Sequence, residues 1–225
     1  MIIRLHEVHK FYNRDTPRQV HAVRGVSLAV QEGEAVCISG PSGSGKSTLL
    51  GIIGGFFVPT SGLAEVAGVK LARLPDRFLT SYRRDYIGFI PQRFPVIGAM
   101  SVLANVILPL LPLGVEQRES EERGRQLLTR LNITHKQNMP AAELSGGELQ
   151  RLVIARALIN DPPIILADEP TAHLDSALST QFISIMSECR AEGKTVVIAS
   201  HDPLVFQSSL IDRHLILEDG AMVAG

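Results

Sequence analysis

Apolar and polar residues alternate over Met1-Ile2-Ile3-Arg4-Leu5-His6-Glu7-Val8, and the alternation resumes over residues 20–30 after a polar stretch at 13–19. A period of two buries one side of a segment and wets the other, so both read as strands of an antiparallel element, with a turn at Glu32-Gly33-Glu34. Three later runs, residues 35–39, 164–167 and 195–199, are short and almost wholly apolar, as in strands buried on both faces. Between them the period lengthens to that of a helix, over residues 46–53, 116–131, 148–159 and 176–191. In the second of these, Leu127, Leu128 and Leu131 form the apolar stripe, and Glu–Arg pairs share the exposed face. A strand and turn at 215–220 close the pattern. Apolar strands alternating with helices predict an α/β fold with a parallel sheet covered on both faces. The antiparallel β element precedes this sheet, and a helical insert interrupts it. The expected organisation is one domain, 1–225: a core with its β subdomain at 1–92 and 162–225, and a helical subdomain at 93–161.

At 225 residues the chain can bury a sizeable core without staples. Its two cysteines, Cys37 and Cys189, are far apart in sequence and fit a reducing compartment. The formal net charge is −1, from 22 basic and 23 acidic residues that are interspersed. That balance lacks the basic footprint of a nucleic-acid or anionic-membrane binder, so no nucleic-acid partner is expected. The longest apolar stretch, residues 102–115, contains Pro109 and Pro112 and is shorter than the ~20 residues a membrane span needs. The start reads as a strand and not as a signal peptide. Work at a membrane would then need another subunit to supply the membrane part.

Candidate chemistry centres on Gly40-Pro41-Ser42-Gly43-Ser44-Gly45-Lys46-Ser47, the complete G-x-x-x-x-G-K-[ST] phosphate-binding loop, set between an apolar strand and a helix. Glycines 40, 43 and 45 let successive N–H groups point at phosphates, and the helix starting near Lys46 adds its positive end. Lys46 is placed to reach the β- and γ-phosphates and the Ser47 hydroxyl to ligate Mg²⁺. Residues 164–167 lead into Asp168-Glu169-Pro170, a strand ending in two carboxylates. Asp168 would hold Mg²⁺, and Glu169 would orient or deprotonate the attacking water. Leu144-Ser145-Gly146-Gly147-Glu148-Leu149-Gln150-Arg151 opens a further helix with a second anion-binding N-terminus.

With that segment about 100 residues after a phosphate loop, the chain resembles the ATP-binding cassette (ABC) ATPases, a branch of the P-loop NTPases, over nearly its whole length. The resemblance implies roles position by position. Gln92 matches the glutamine that senses Mg²⁺ and the γ-phosphate, and His201 the histidine that contacts the γ-phosphate. Asp175 matches the loop that crosses to the partner subunit. Tyr12 matches the aromatic that stacks on adenine, and Phe11 stands beside it. Residues Ser42, Gly43, Ser44, Gly45, Lys46, Ser47 and Thr48 would bind the phosphates of ATP. Ser145, Gly146 and Gly147 would close on the ATP of a second ATPase subunit, so that two ATP molecules are sandwiched in a dimer, presumed a homodimer on this resemblance.

Gly54-Gly55, Pro59-Thr60-Ser61-Gly62, residues 83–89 and residues 101–110 together look like the bacterial MacB/LolD/FtsE-like group. Those proteins serve macrolide exporters, lipoprotein-releasing complexes and division-site complexes. The resemblance implies ATP hydrolysis driving an integral membrane subunit in export, lipoprotein release or mechanotransmission. The cassette would lie peripherally on the cytoplasmic face of the inner membrane and make no direct contact with substrate. Amino-acid-type importers and soluble non-transport ABC ATPases are the alternative readings. Typical members carry Gly-Leu-Asp or similar where this chain has Gly55-Phe56-Phe57, and Phe where it has Pro91. Phe56, Phe57 and Val58, with the loop 94–100, are expected to form the groove that receives the membrane subunit.

Overall fold

The computed structural model describes residues 1–172 and 174–223. β1 (Ile3–Tyr12) and β2 (Val20–Val30) pair antiparallel, followed by β3 (Ala35–Ser39), the phosphate loop and α1 (Lys46–Ile53). β4 (Ser61–Val66) and β5 (Val69–Lys70) complete a four-stranded antiparallel sheet in the order β2-β1-β4-β5. After α2 (Asp76–Tyr86) and β6 (Ile87–Ile90), the chain becomes helical: α3 (Val102–Ile107), a 3-10 segment at Leu108–Leu113, α4 (Gln117–Arg130) and α5 (Gly146–Leu158). It returns through β7 (Ile164–Asp168), α6 (Ser176–Ala191), β8 (Thr195–Ala199), α7 (Pro203–Phe206), β9 (Arg213–Glu218) and β10 (Ala221–Val223). The second sheet has the order β10-β9-β3-β8-β7-β6, parallel throughout except for β10.

The apolar runs of β3, β7 and β8 are buried on both faces, and strand alternation divides them between two cores. Ala35, Cys37, Ile165, Ala167, Val196 and Ile198 pack with α3, α4, α5 and α6. Val36, Ile38, Ile164, Leu166, Val197 and Ala199 pack instead with α1 and the antiparallel sheet. A continuous apolar run is therefore two half-patterns read at once. On the helical side, Asn105 is fully buried and its side chain is bonded throughout: Oδ1 accepts from Ile97 N at 2.9 Å, and Nδ2 donates to the carbonyls of Ile97 and Ser101 at 3.0 and 3.1 Å. It fixes the loop that follows Gln92.

Every helix and strand read from the pattern is present, with α5 starting at Gly146, two residues before the expected start. The pattern gave no reading for β4, β5, α2 or β6. Helix α2 buries only Leu79 and Tyr82, too few apolar positions to impose a period. What fixes it is a bond across sequence, the Tyr82 hydroxyl donating to the Ile53 carbonyl at the end of α1 at 2.6 Å. Burial pushes the Tyr82 phenol well above its ordinary value.

Leu50 lies on the buried face of α1, between the parallel strands and the antiparallel sheet, and is fully enclosed. Leu50→Ala should cost about 3 kcal/mol, read as a lower urea midpoint at unchanged m-value.

Candidate nucleotide-binding and catalytic site

The loop between β3 and α1 bends tightly because neighbouring backbone crowds it. A Cβ at Gly40 (φ 146°) would lie 2.0 Å from the carbonyl oxygen of Leu217, and one at Gly45 (φ 102°) 2.2 Å from that of Ala22. Only glycine fits at either place. Lys46 follows at the first turn of α1 with 6% exposure. Its Nζ donates to the carbonyls of Gly40 at 2.8 Å and Pro41 at 3.0 Å and lies 3.6 Å from Glu169 Oε1. The Ser44 hydroxyl faces the same cavity, buried and without a hydrogen-bond partner among the described residues.

β7 delivers the two carboxylates. Asp168 Oδ1 accepts from the Ser47 hydroxyl at 3.0 Å. Glu169 takes a left-handed backbone (φ 46°), its N–H bonded to the Ala199 carbonyl at 2.8 Å. That turn aims the carboxylate back over the sheet edge, where Oε2 accepts from His201 Nδ1 at 2.8 Å. Two further bonds brace the pair: Gln150 Nε2 donates to the Pro170 carbonyl at 2.9 Å, and the Thr171 hydroxyl to Asp202 Oδ2 at 2.9 Å. Burial raises the Asp168 carboxyl above its ordinary value. Ser47 opposes the rise, Glu169 adds to it, and Lys46 opposes it. Burial and the nearby Glu169 push the Cys37 thiol up to about 12, so it is an inert packing group.

One cavity of about 520 Å³ gathers these groups. Tyr12, Val20 and Ala22 line it from the antiparallel sheet, residues 40–48 from the phosphate loop, and Gln92, Glu169 and His201 from beyond the strand ends. Tyr12 Oη lies 3.4 Å from Thr48 Oγ1, whereas Phe11 stacks on His21 with ring centroids 3.8 Å apart. Tyr12, not Phe11, is therefore the aromatic of the cavity. Val20 and Ala22 also line it but were not singled out from the sequence. The two strand residues gave no signal, because the pairing of Tyr12 with Val20 appears only in the register.

Ser145, Gly146, Gly147 and Asp175 are not on this cavity. Ser145 precedes α5, and Glu148 Oε2 accepts from both its N–H (2.9 Å) and its hydroxyl (2.8 Å). These bonds, with Lys136 at 3.3 Å, hold the Glu148 carboxyl below its usual range. Asp175 caps α6 by accepting from Leu178 N at 2.9 Å. The two helix starts touch, since a Cβ on Gly147 would lie 2.6 Å from the Leu178 side chain.

The groove expected at residues 56–58 and 94–100 is differently built. Phe56, 46% exposed, lines a second cavity with Phe89, Pro109, Pro112, Arg83 and Arg156. Phe57 turns the other way, edge-on to Tyr12 with centroids 6.1 Å apart, and Phe94 packs against the helical core. Neither lines the cavity of Phe56.

The residues present suit a nucleotide with Mg²⁺. The cradle excludes a Cβ, Ser44 offers an unpaired hydroxyl, and Ser47, Asp168 and Gln92 offer the hard oxygens Mg²⁺ prefers. No group of three or more His, Cys, Asp or Glu among the described residues forms a metal cage.

A carboxyl whose value rises on folding holds its proton more tightly when folded. Ionised Asp168 thus lowers stability above its folded value, and the penalty disappears below its unfolded value. Asp168→Asn should raise the urea midpoint of nucleotide-free protein at pH 7. The gain should vanish as pH falls below about 4.

Residues 23–172 match the ABC transporter family. The lipoprotein-releasing system ATP-binding protein LolD of Ruegeria sp. (strain TM1040) is 41% identical over 223 residues, 98% of this chain and 97% of the relative. Macrolide export ATP-binding/permease protein MacB of Salmonella typhi is 40% identical over 205 residues, 91% of this chain and 31% of the relative. The chain thus spans about a third of the length of the MacB relatives it matches. The dimeric, post-hydrolysis structure of the ATP-binding cassette MJ0796 bound to ADP and Pi superposes with a TM-score of 0.92 at 38% identity, covering 99% of this chain and 97% of that one. A nucleotide-free cassette from an ABC transporter superposes with a TM-score of 0.83 at 26% identity. No helix among the described residues is long and apolar enough to cross a membrane. On the family match, the identity to these relatives and the shared fold, the chain belongs to the ABC transporter family of ATP-binding cassettes.

Proposed function

We propose that this chain hydrolyses ATP as one half of a two-chain cassette and passes the closing motion to a membrane subunit of the MacB or LolD kind. The observation that carries the reading is the single cavity. Residues as distant in sequence as Tyr12, Lys46, Gln92, Glu169 and His201 all line it. Further support comes from the placement of Ser145, Gly146, Gly147 and Asp175 away from their own cavity, where a second copy could use them.

In this reading Tyr12 stacks on the base, and the N–H groups of residues 42–48 cradle the phosphates. Lys46 leaves the carbonyls of Gly40 and Pro41 for the β- and γ-phosphates. Ser47, Asp168 and Gln92 hold Mg²⁺, which supplies neutralising charge to the phosphates when bound. Glu169 takes the proton of the attacking water, while the Nδ1–H of His201 holds Oε2 in place. Ser145 and the glycines after it approach the γ-phosphate bound by the other chain, so catalysis rests on positioning and charge stabilisation that one chain lacks.

Transmission runs through the groove of Phe56 and Phe89, with Arg83, Arg84 and Arg156 at its rim. Burial lowers the Arg156 guanidinium from its ordinary value, and no hydrogen bond or ion pair within the described residues engages its side chain. An apolar floor with a free cation suits a helix that carries an acidic residue.

Glu169→Gln keeps the shape of the site and removes the base. Turnover should fall by about 10²–10⁴-fold, and with MgATP the variant should elute as a dimer in size-exclusion chromatography. A variant that binds MgATP yet stays monomeric, or wild-type activity per chain that does not change on dilution, would sink the composite-site reading. Phe56→Ser should uncouple ATPase activity from the membrane subunit with little loss of stability, whereas Phe94→Ser should lower the melting temperature. Retained coupling in Phe56→Ser would remove the groove from the proposal.

A further inference from the structure

The hairpin between β9 and β10 ends at the turn Asp219-Gly220, where both residues have positive φ (45° and 83°). Gly220 makes two backbone bonds to different parts of the nucleotide cavity. Its N–H donates to the carbonyl of Ser44, inside the phosphate loop, at 3.0 Å, and its carbonyl accepts from Arg24 N on β2 at 2.7 Å. β2 is also the strand that brings Val20 and Ala22 to the cavity. One residue near the far end of the described chain thus joins the phosphate loop of one sheet to the side wall supplied by the other. Leu217, in the same hairpin, adds a second buttress, because its carbonyl oxygen lies behind Gly40 and its side chain behind Gly45.

We propose that Gly220 is a positioning residue that sets the spacing between the phosphate loop and the wall of Tyr12, Val20 and Ala22. The inference rests on the proposed function, since it takes the cavity to bind ATP across both parts. The geometry leaves little room for adjustment. A Cβ at Gly220 would lie 2.9 Å from the carbonyl oxygen of Ala22 and 3.1 Å from Arg24 Cγ. A side chain there must lift the turn from β2, which stretches the bond to Arg24. The Arg24 side chain can swing aside, but the Ala22 carbonyl is backbone within β2, so the strain against it falls on the turn. A nucleotide that touches loop and wall together feels the changed spacing, whereas a ligand held by the loop alone does not.

Gly68 supplies the control. It too has positive φ (76°), in the β4–β5 hairpin, but a Cβ there meets nothing within 4 Å. Gly220→Ala and Gly68→Ala therefore share the cost of a left-handed alanine and differ in what the methyl group strikes.

The experiment measures dissociation constants of MgATP and of magnesium tripolyphosphate for wild type, Gly220→Ala and Gly68→Ala, with steady-state ATPase kinetics alongside. Gly220→Ala should weaken MgATP about tenfold and tripolyphosphate less than twofold. KM for ATP should rise with little change in kcat, the signature of lost ground-state binding. Gly68→Ala should match wild type with both ligands. Should Gly220→Ala fail to fold, Gly220→Asn keeps the obstructing Cβ in a residue that tolerates positive φ, and the same pattern is expected. Three results overturn the inference alone: unchanged MgATP affinity in the Gly220 variants, an equal loss in Gly68→Ala, or an equal loss of tripolyphosphate. A wild-type chain that binds no MgATP overturns the proposed function and this inference with it.

Discussion

The parallel pairing of β3, β7 and β8 is the constraint on which the rest depends. Their side chains are shared between two cores, so none of the three strands can shift without disturbing both. Because the strands run in the same direction, their ends deliver the phosphate loop, the two carboxylates and His201 to one edge of the sheet. Ligand sites in open α/β sheets lie beyond the carboxyl ends of the strands, where loops from neighbouring strands converge. Here the convergence is pinned by backbone bonds, with Glu169 N on the Ala199 carbonyl and Ser200 N on the Ile38 carbonyl. The site inherits the rigidity of a fully buried sheet.

Charge is arranged around that edge with little surplus. Lys46 is nearly buried, yet its three closest oxygens come from its own loop and from Glu169. Glu169 is also bonded to His201, so the cation, the acid and the imidazole form one chain of contacts. A buried cation is tolerated when it is hydrogen-bonded and paired. Lys46 and Glu169 therefore satisfy each other, whereas Asp168 keeps a penalty from burial and from Glu169, and the Ser44 hydroxyl is the orphan among the loop's side chains.

Much of this was legible in the sequence because its signals are short-range. The phosphate loop lies within eight consecutive residues, and the carboxylates end a strand whose run of apolar residues announces it. Helix α6 and strand β8 match the expected ranges, the helix from its period and the strand from its unbroken apolar run. What escaped was set by contacts across long stretches of chain. Helix α2 is held by one buried tyrosine, and Val20 and Ala22 reach the cavity only because β1 and β2 pair in a particular, bulged register. The residues expected at the groove part ways for the same reason. Phe56, Phe57 and Phe94 are alike in sequence, and only the fold decides which neighbour each one meets: Phe89, Tyr12 or the helical core.

Phe56 and Phe57 are adjacent, yet they serve different cavities, one on the groove and the other against Tyr12. Their backbone N–H groups both donate to a single acceptor, the Gly51 carbonyl, at 2.8 and 3.1 Å. Gly51 belongs to α1, the helix that begins at Lys46. The backbone beneath the Phe56 ring thus shares one acceptor with the backbone beneath the ring that meets Tyr12. That oxygen sits on the helix whose first residue is the phosphate-loop lysine. In mechanical terms the two aromatic rings, one on each cavity's side, hang from a common peg on the helix that starts the phosphate site.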